Sequence, residues 1–338
     1  MNEKLVSVIM STCNTDEQYL LRAVESILMQ TYKNIELILI IDGGDNVDCL
    51  SKYNDNRLHI IRHKNSLGLA NRLNEGISLA RGDYIARMDS DDYSLPDRLE
   101  RQVCFMEENP EIDICSTFAK KFGDSDAIVI NPYTKSSYIC ARLFVSNFII
   151  HPTVMFRKES IKKYDIKYNQ SYRYSQDYEL WARLSNECTF AIIPRIELLY
   201  RVHSHQVSKA KKEIQENYFG ETVSANLERL GLSRNDIKYI EVLGGRGKLT
   251  DAKKLRLFVD RCLLSNGNIH IYNQKVFKRV LYRCVFIVFL REHKLCLSFR
   301  YFRWHVFGYS FRKLFLRTKC WFQCKKINKK LLKRKICL

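Results

Sequence analysis

The chain has 338 residues, 46% of them hydrophobic and 28% charged, with a formal net charge of +19. That length buries a real core and suits one large α/β domain with an extension, or two domains, and the composition excludes a disordered chain. The charge excess is confined to the C-terminal part, because Arg261 to Leu338 holds 20 Lys and Arg against one acid, Glu292, while the first 260 residues balance.

The chain opens without a secretory-signal pattern, and "LVSVIMS" (5–11) reads instead as a strand buried on both faces of a parallel sheet. "DEQYLLRAVESILMQ" (16–30) switches to helical period, with Leu20, Val24, Ile27 and Leu28 on one stripe and Asp16 and Glu17 near its start. A second apolar strand, "IELILIID" (35–42), stops at Gly43-Gly44 and completes a βαβ unit, whose crossover is right-handed. The alternation continues with a strand at 58–63, a helix at 68–80, a turn at Arg81-Gly82, a strand at 84–89 and a helix from Pro96 to about Glu108, with Asp97 at its start. This order predicts a doubly wound, mostly parallel α/β sheet, which binds ligands at the carboxyl ends of its strands. Asp42 and Asp89 both fall at such ends.

Residues 112–160 read as strands and loops, 177–186 as a helix, and 190–203 as a strand broken near Pro194. Residues 209–265 read as amphipathic helices interrupted at "GGRG" (244–247). The expected division is a catalytic domain over 1–210, a helical linker or subdomain over 211–265 and a basic aromatic extension over 266–338. The longest apolar run, "CVFIVFL" (284–290), is too short to span a bilayer. The 12 cysteines are expected as reduced thiols, and Cys320 and Cys324 have no zinc-spaced partners.

The stretch "YIARMDSDDYSLPDR" (84–98) crowds Asp89, Asp91 and Asp92 behind an apolar strand. Carboxylates one residue apart in a turn can share a hard cation such as Mg²⁺ or Mn²⁺, which keeps part of its coordination for substrate phosphates. An aspartate-rich turn that merely caps a helix is the competing account. The surroundings bear on the choice. A first strand ending "MSTCN", a second ending "IIDGGDN", then "NSLGLANRLNEGI", "YIARMDSDDYSLPDRLERQ", "HPTVMFRK" and "SQDYELWARL" occur in that order. Together they resemble the bacterial family 2 inverting nucleotide-sugar glycosyltransferases of GT-A fold, over roughly residues 4–210.

The resemblance implies a nucleotide-binding half and an acceptor half, with roles for individual residues. Ser11 and Thr12 would hold the nucleotide base and Asp42 would accept from uracil N3–H, although Cys13 replaces the aromatic residue often found beside them. Asn65, Gly68 and Asn71 would approach ribose or pyrophosphate at a helix start. Arg72 would neutralise a phosphate or lie solvated on its helix. Asp91 would be the first metal ligand, Asp89 would contact ribose or metal, and Asp92 would support them. Asp177 would be the base that deprotonates the acceptor hydroxyl, with Gln176 and His151 on the acceptor side. His203 would reach the phosphates or metal, Arg201 a phosphate or a surface ion pair, and Trp181 would be core.

The C-terminal segment is also aromatic, with 15 of the 40 Phe, Tyr and Trp in its 78 residues. Runs such as "FRYFRWHVFGYSFRKLFLR" (299–317) suit an anionic membrane interface, where each cation contributes about 1 kcal/mol. An amphipathic helical subdomain and RNA binding are the alternatives, and nucleic acid is the weaker of the two. The expected activity is inverting transfer of Gal, Glc or GlcNAc from a UDP-sugar to a polyprenyl-diphosphate-linked glycan, for O-antigen, capsule or exopolysaccharide. The expected location is the cytoplasmic face of the plasma membrane. Sugar-phosphate nucleotidyl transfer would need a glycine-rich basic loop after the first strand, which "STCNTDEQ" lacks. A non-catalytic binding protein with a decayed transferase domain fits poorly with Asp42, Asp89, Asp91 and Asp177 all being present.

Overall fold

A computed structural model describes residues 3–43, 48–50, 53–203, 212–292 and Gln323. Most of the extension expected at the membrane, with Cys320 and Cys324, therefore lies outside the described residues. The first third of the chain follows the strand and helix order that periodicity predicts, with a short β5 added: β1 (Val6–Thr12), α1 (Glu17–Leu28), β2 (Ile35–Asp42), β3 (Leu58–His63), α2 (Leu69–Leu79), β4 (Tyr84–Asp89), β5 (Tyr93–Ser94) and α3 (Arg98–Glu108). Asp16 caps α1, its carboxylate accepting from the backbone N–H of Gln18 and Tyr19. After α3 come β6 (Ile114–Gly123), β7 (Ile128–Val129), α4 (Ser136–Leu143), a 3₁₀ turn at His151–Thr153, β8 (Met155–Arg157), α5 (Lys158–Lys163), α6 (Gln176–Leu184) and β9 (Phe190–Val202).

The described strands form one sheet in the order β3-β2-β1-β4-β8-β6-β9-β5, with β7 paired to β6. The first four strands are parallel, and β8 joins β4 antiparallel. The strand at 190–203 is continuous and not broken at Pro194; the proline is absorbed by a bulge, where the β6 register jumps from Thr117↔Ile193 to Phe118↔Ile196. Successive β1 side chains bury on opposite faces: Val8 and Met10 against α1 and α3, Ile9 against α2. On the α2 face only a glycine fits at position 76, because a Cβ there would stand 2.4 Å from Ile9 Cγ2.

Four further helices follow: α7 (Lys212–Arg229), α8 (Ile237–Gly244), α9 (Ala252–Ile269) and α10 (Gln274–Arg291). Gly245, at φ +84°, ends α8 inside the expected glycine break. These helices do not stand apart as a separate unit. Tyr178 stacks on Phe219 at 5.5 Å and Phe144 meets Phe277 edge-on at 5.3 Å, so a single hydrophobic core runs from the sheet face through Trp181 into α7–α10. The boundary expected at 265/266 falls inside α9, whose buried face continues to Asn266. No helix among the described residues is long and apolar enough to cross a membrane.

Candidate active site

The parallel order places β1 between β2 and β4, so the chain leaves β1 on either side and opens a crevice at the strands' carboxyl ends. Thr12 stands opposite Ile41, Ser11 opposite Asp89 and Asp42 opposite His63, which gathers Ser11, Thr12, Asp42 and Asp89 along one edge. Thr12 is buried, Ser11 partly so, and Cys13 is exposed.

Asp42 is only 2% exposed and saturated with donors. Its Oδ1 accepts from the Leu67 N–H at 2.8 Å and Arg72 Nε at 2.6 Å, and its Oδ2 from Ser66 Oγ and the Gly68 N–H, both at 2.8 Å. Burial alone would raise this carboxyl, but the four donors outweigh it and hold Asp42 below the usual carboxylate range. Arg72 is buried rather than solvated, and its guanidinium is committed to protein partners. Its guanidinium is buried, and beyond Asp42 it donates to Glu75 at 3.1 Å and to the Asn65 carbonyl at 2.9 Å. The strand-end aspartate and the helix arginine thus form an internal clamp on the loop 65–68. Gly68, at φ +90°, starts α2 with open space around its α-carbon, and Asn71 donates back to the Leu67 carbonyl at 2.8 Å. Asn65 itself is exposed.

Beyond β4, Asp89, Asp91 and Asp92 bring one carboxylate oxygen each to within 4.8 Å of one another. Ser90 Oγ, 2.8 Å from Thr15 Oγ1, ties this turn to the start of α1. Arg201 ties it to β9: its backbone N–H donates to Asp92 Oδ1 at 2.8 Å, and its Nε to the Asp91 carbonyl at 2.7 Å. The guanidinium lies 3.8 Å from the Tyr19 ring centre and 4.3 Å from that of Phe122, a stacked bracing position rather than a surface ion pair. Buried Arg87 forms an ion pair with Asp89. His203 Nε2 lies 3.3 Å from Asp91 Oδ2, adjacent to the cluster.

Burial, reinforced by the neighbouring Asp89 charge, raises Asp91 despite His203, and the same two causes with Asp91 push Asp92 well above its ordinary range. Asp92 Oδ2 is buried without a hydrogen-bond partner. Three mutually repelling carboxylates with one unpartnered buried oxygen are a donor set that suits a hard divalent cation. Asp92 thus belongs to the cluster itself, beyond the supporting place expected for it.

Asp177 sits in the first turn of α6, partly buried, and Asn147 Nδ2 donates to its Oδ2 at 2.7 Å. Burial pushes its carboxyl above the ordinary range against the Tyr178 N–H and Asn147, and the Asp89 charge adds to the rise. The two carboxylates therefore share one electrostatic field. Asn147 carried no sequence signal, because it belongs to a turn after α4, thirty residues from its partner. Tyr200 was also missed. Burial and the charges of Asp89, Asp92, Asp91 and Asp177 raise its phenol, which places it, like Tyr168, under the charge of both groups of carboxylates.

His151 lines the wall rather than the centre. Its Nε2 lies 2.7 Å from the Tyr168 hydroxyl and its ring meets Trp181 edge-on at 6.0 Å; burial, with the Arg87 charge, keeps it well below the ordinary histidine range and so neutral. Tyr168 is in turn pinned to α2 by two 2.8 Å hydrogen bonds with Asn74. Trp181 is core as expected. Gln176 is buried, with its Oε1 unpartnered.

The sequence model of the family described as "Glycosyl transferase family 2" matches residues 7–165. An uncharacterized glycosyltransferase of Methanocaldococcus jannaschii is 33% identical over 231 residues, 65% of this chain and 79% of that protein. The Escherichia coli O-antigen biosynthesis glycosyltransferase WbnJ is 34% identical, covering 61% of this chain and 83% of its own length. The E. coli UDP-Glc:alpha-D-GlcNAc-diphosphoundecaprenol beta-1,3-glucosyltransferase WfaP is 30% identical over 62% of this chain and 81% of its own. The crystal structure of S. aureus TarS 1–349 in complex with UDP-GlcNAc superposes with a TM-score of 0.57 over 87% of this chain and 89% of that one, at 17% identity, a likeness of fold.

Proposed function

This chain belongs to glycosyl transferase family 2, and from that premise we propose that it moves a sugar, with inversion, from a UDP-sugar to a hydroxyl of a lipid-linked glycan in surface polysaccharide assembly. The observation that carries the reading is the pairing, in one field, of a raised, amide-held carboxylate at Asp177 with the acidic cluster at the end of β4. Inverting transfer needs a base on the acceptor's side and a stabilised leaving diphosphate on the other.

In this mechanism Asp177 accepts the acceptor hydroxyl's proton as that oxygen attacks the anomeric carbon from the face opposite the nucleotide. Asn147 keeps the carboxylate ionised and oriented between turnovers. Asp89 and Asp91, with Asp92, would hold Mg²⁺ or Mn²⁺, which would neutralise charge on the departing diphosphate. Arg201 and Ser90 fix the turn that carries these ligands. The nucleotide lies along Ser11, Thr12 and the 65–71 loop. Because both Asp42 oxygens are engaged, its part is to shape that loop, and a uracil N3–H would have to share an oxygen already taken.

WfaP supports a diphospholipid-linked acceptor by its named activity and WbnJ supports O-antigen assembly by its name, and Gal, Glc and GlcNAc are the donors proposed. The basic aromatic extension would hold the enzyme at an anionic, cytoplasmic membrane face, where such acceptors concentrate. The test is UDP release across a panel of UDP-sugars with synthetic lipid diphosphate acceptors. Acceptor-dependent release with one donor is expected; release with none of them, under conditions where the protein is folded, would overturn the reading.

A further inference from the structure

Tyr168 and Tyr200 both lie under the charge of Asp89 and of Asp177, and they differ in what their hydroxyls do. Tyr168 is buried, and its hydroxyl stands 2.7 Å from His151 Nε2. Tyr200 is partly buried, and its hydroxyl has no hydrogen-bond partner among the described residues. A tyrosine drawn into a protein usually finds a partner for its O–H, so an uncommitted phenol in an acidic crevice is a donor in need of an acceptor. Burial and the surrounding carboxylates keep that phenol protonated, which preserves the donor.

The sheet fixes where Tyr200 stands. β5 begins directly after Asp92 and pairs antiparallel with β9, with Ser94 opposite Leu198 and Tyr93 opposite Leu199. Two residues beyond Leu199, the Arg201 N–H donates to Asp92 Oδ1 at 2.8 Å and its Nε to the Asp91 carbonyl at 2.7 Å. Tyr200 lies between these two attachments, and on the other edge of β9 it stands opposite Lys121 of β6. Its backbone is therefore held beside the acidic turn from both edges of the strand.

In an inverting displacement the attacking oxygen, the anomeric carbon and the leaving oxygen fall on one line. Asp177 serves the attacking end and the acidic cluster the leaving end, so a side chain under the charge of both faces the middle of that line, where the sugar ring lies. We infer that Tyr200 donates its hydroxyl hydrogen to a hydroxyl of the hexose being transferred, and so binds the sugar of the donor rather than its nucleotide. This inference rests on the roles proposed above for Asp177 and the acidic cluster. A site that hydrogen-bonds a substrate hydroxyl discriminates against a donor that lacks it, which makes Tyr200 a determinant of donor choice.

The test is Tyr200→Phe in the full-length protein. It deletes one oxygen and no internal hydrogen bond, so the melting temperature should not fall; a fall would show that the hydroxyl has an internal partner and would overturn the inference. Donor kinetics are followed by UDP release from UDP-Gal, UDP-Glc and UDP-GlcNAc at saturating lipid diphosphate acceptor, alongside inhibition by UDP itself. A loss of about fivefold in kcat/KM for the preferred UDP-sugar is expected, with the UDP inhibition constant unchanged. An unchanged kcat/KM would sink the inference, and so would a UDP inhibition constant that rises by the same factor, since that would move the hydroxyl's contact to the nucleotide. If the wild-type protein releases UDP from no donor, the proposed function falls and this inference with it. If the wild type is active and the variant matches it, the inference alone falls.

Discussion

Replacing Asn147 with alanine removes the amide that donates to Asp177 Oδ2 at 2.7 Å and leaves the carboxylate in place. A hydrogen bond to a charged group contributes roughly 1.5–3 kcal/mol, and about 1.36 kcal/mol moves a pKa by one unit. Asp177 is partly exposed, so water replaces some of the lost bond, and the expected rise is about one unit, at the low end of that range. The direction follows from the forces already present. Burial raises the carboxyl and Asn147 lowers it, so deleting Asn147 adds to the rise. The ionised form is the base; activity is lost as pH falls through its pKa, and the acid limb of the kcat profile therefore moves up by about one pH unit while the alkaline plateau is retained. The assay is UDP release from the preferred donor, measured across the acid limb for both proteins. Since Asn147 Oδ1 also accepts from the Ile149 N–H at 3.1 Å, thermal unfolding of the variant is followed alongside. A folded variant whose acid limb stays put, or moves down, would refute both the role of Asn147 and the assignment of Asp177 as the titrating base.

Asp177→Asn should lower kcat by roughly 10²–10⁴-fold, the ordinary range for general-base catalysis, with unfolding unchanged, as read by UDP release and a melting curve. Arg72→Met should destabilise the fold by about 3 kcal/mol in urea unfolding, because it leaves a buried Asp42 without its counter-charge; a surface phosphate ligand would leave stability where it was. Asp92→Asn should raise the melting temperature of the EDTA-treated protein, since it removes one of three repelling carboxylates, and should shrink the further rise given by added Mn²⁺. An equal Mn²⁺ response in both proteins would remove Asp92 from the cation site. Chelation should abolish transfer and Mg²⁺ or Mn²⁺ should restore it, measured with the same donor.

The alternation of strand and helix was legible from β1 to α3 because each buried element writes its period into its own apolar residues. The apolar run of β2 and the helical stripe of Leu20, Val24 and Ile27 need no partner to be recognised. Strand ends were legible for the same reason, so Asp42 and Asp89 could be placed at one edge before any contact was known. Side-chain allegiance was not legible. Arg72 reads as a surface arginine on a helix until the fold brings Asp42, thirty residues away, against its Nε. Arg201 reads as a phosphate cation or a surface ion pair, and only the fold packs its guanidinium against the rings of Tyr19 and Phe122.

By itself, then, the sequence determined the periodic elements, their order, and the family that this order of motifs identifies, since these depend on local pattern and chain connectivity. Only the tertiary structure decided which charges are spent internally. It gave Asp92 an orphaned oxygen, Asp177 an amide partner in Asn147, and the C-terminal helices a share of the catalytic core through Tyr178, Phe219 and Phe277. The physical reason is common to all three. Hydrogen bonding, charge repulsion and burial act over a few ångströms of space, and the chain separates those partners by tens of residues.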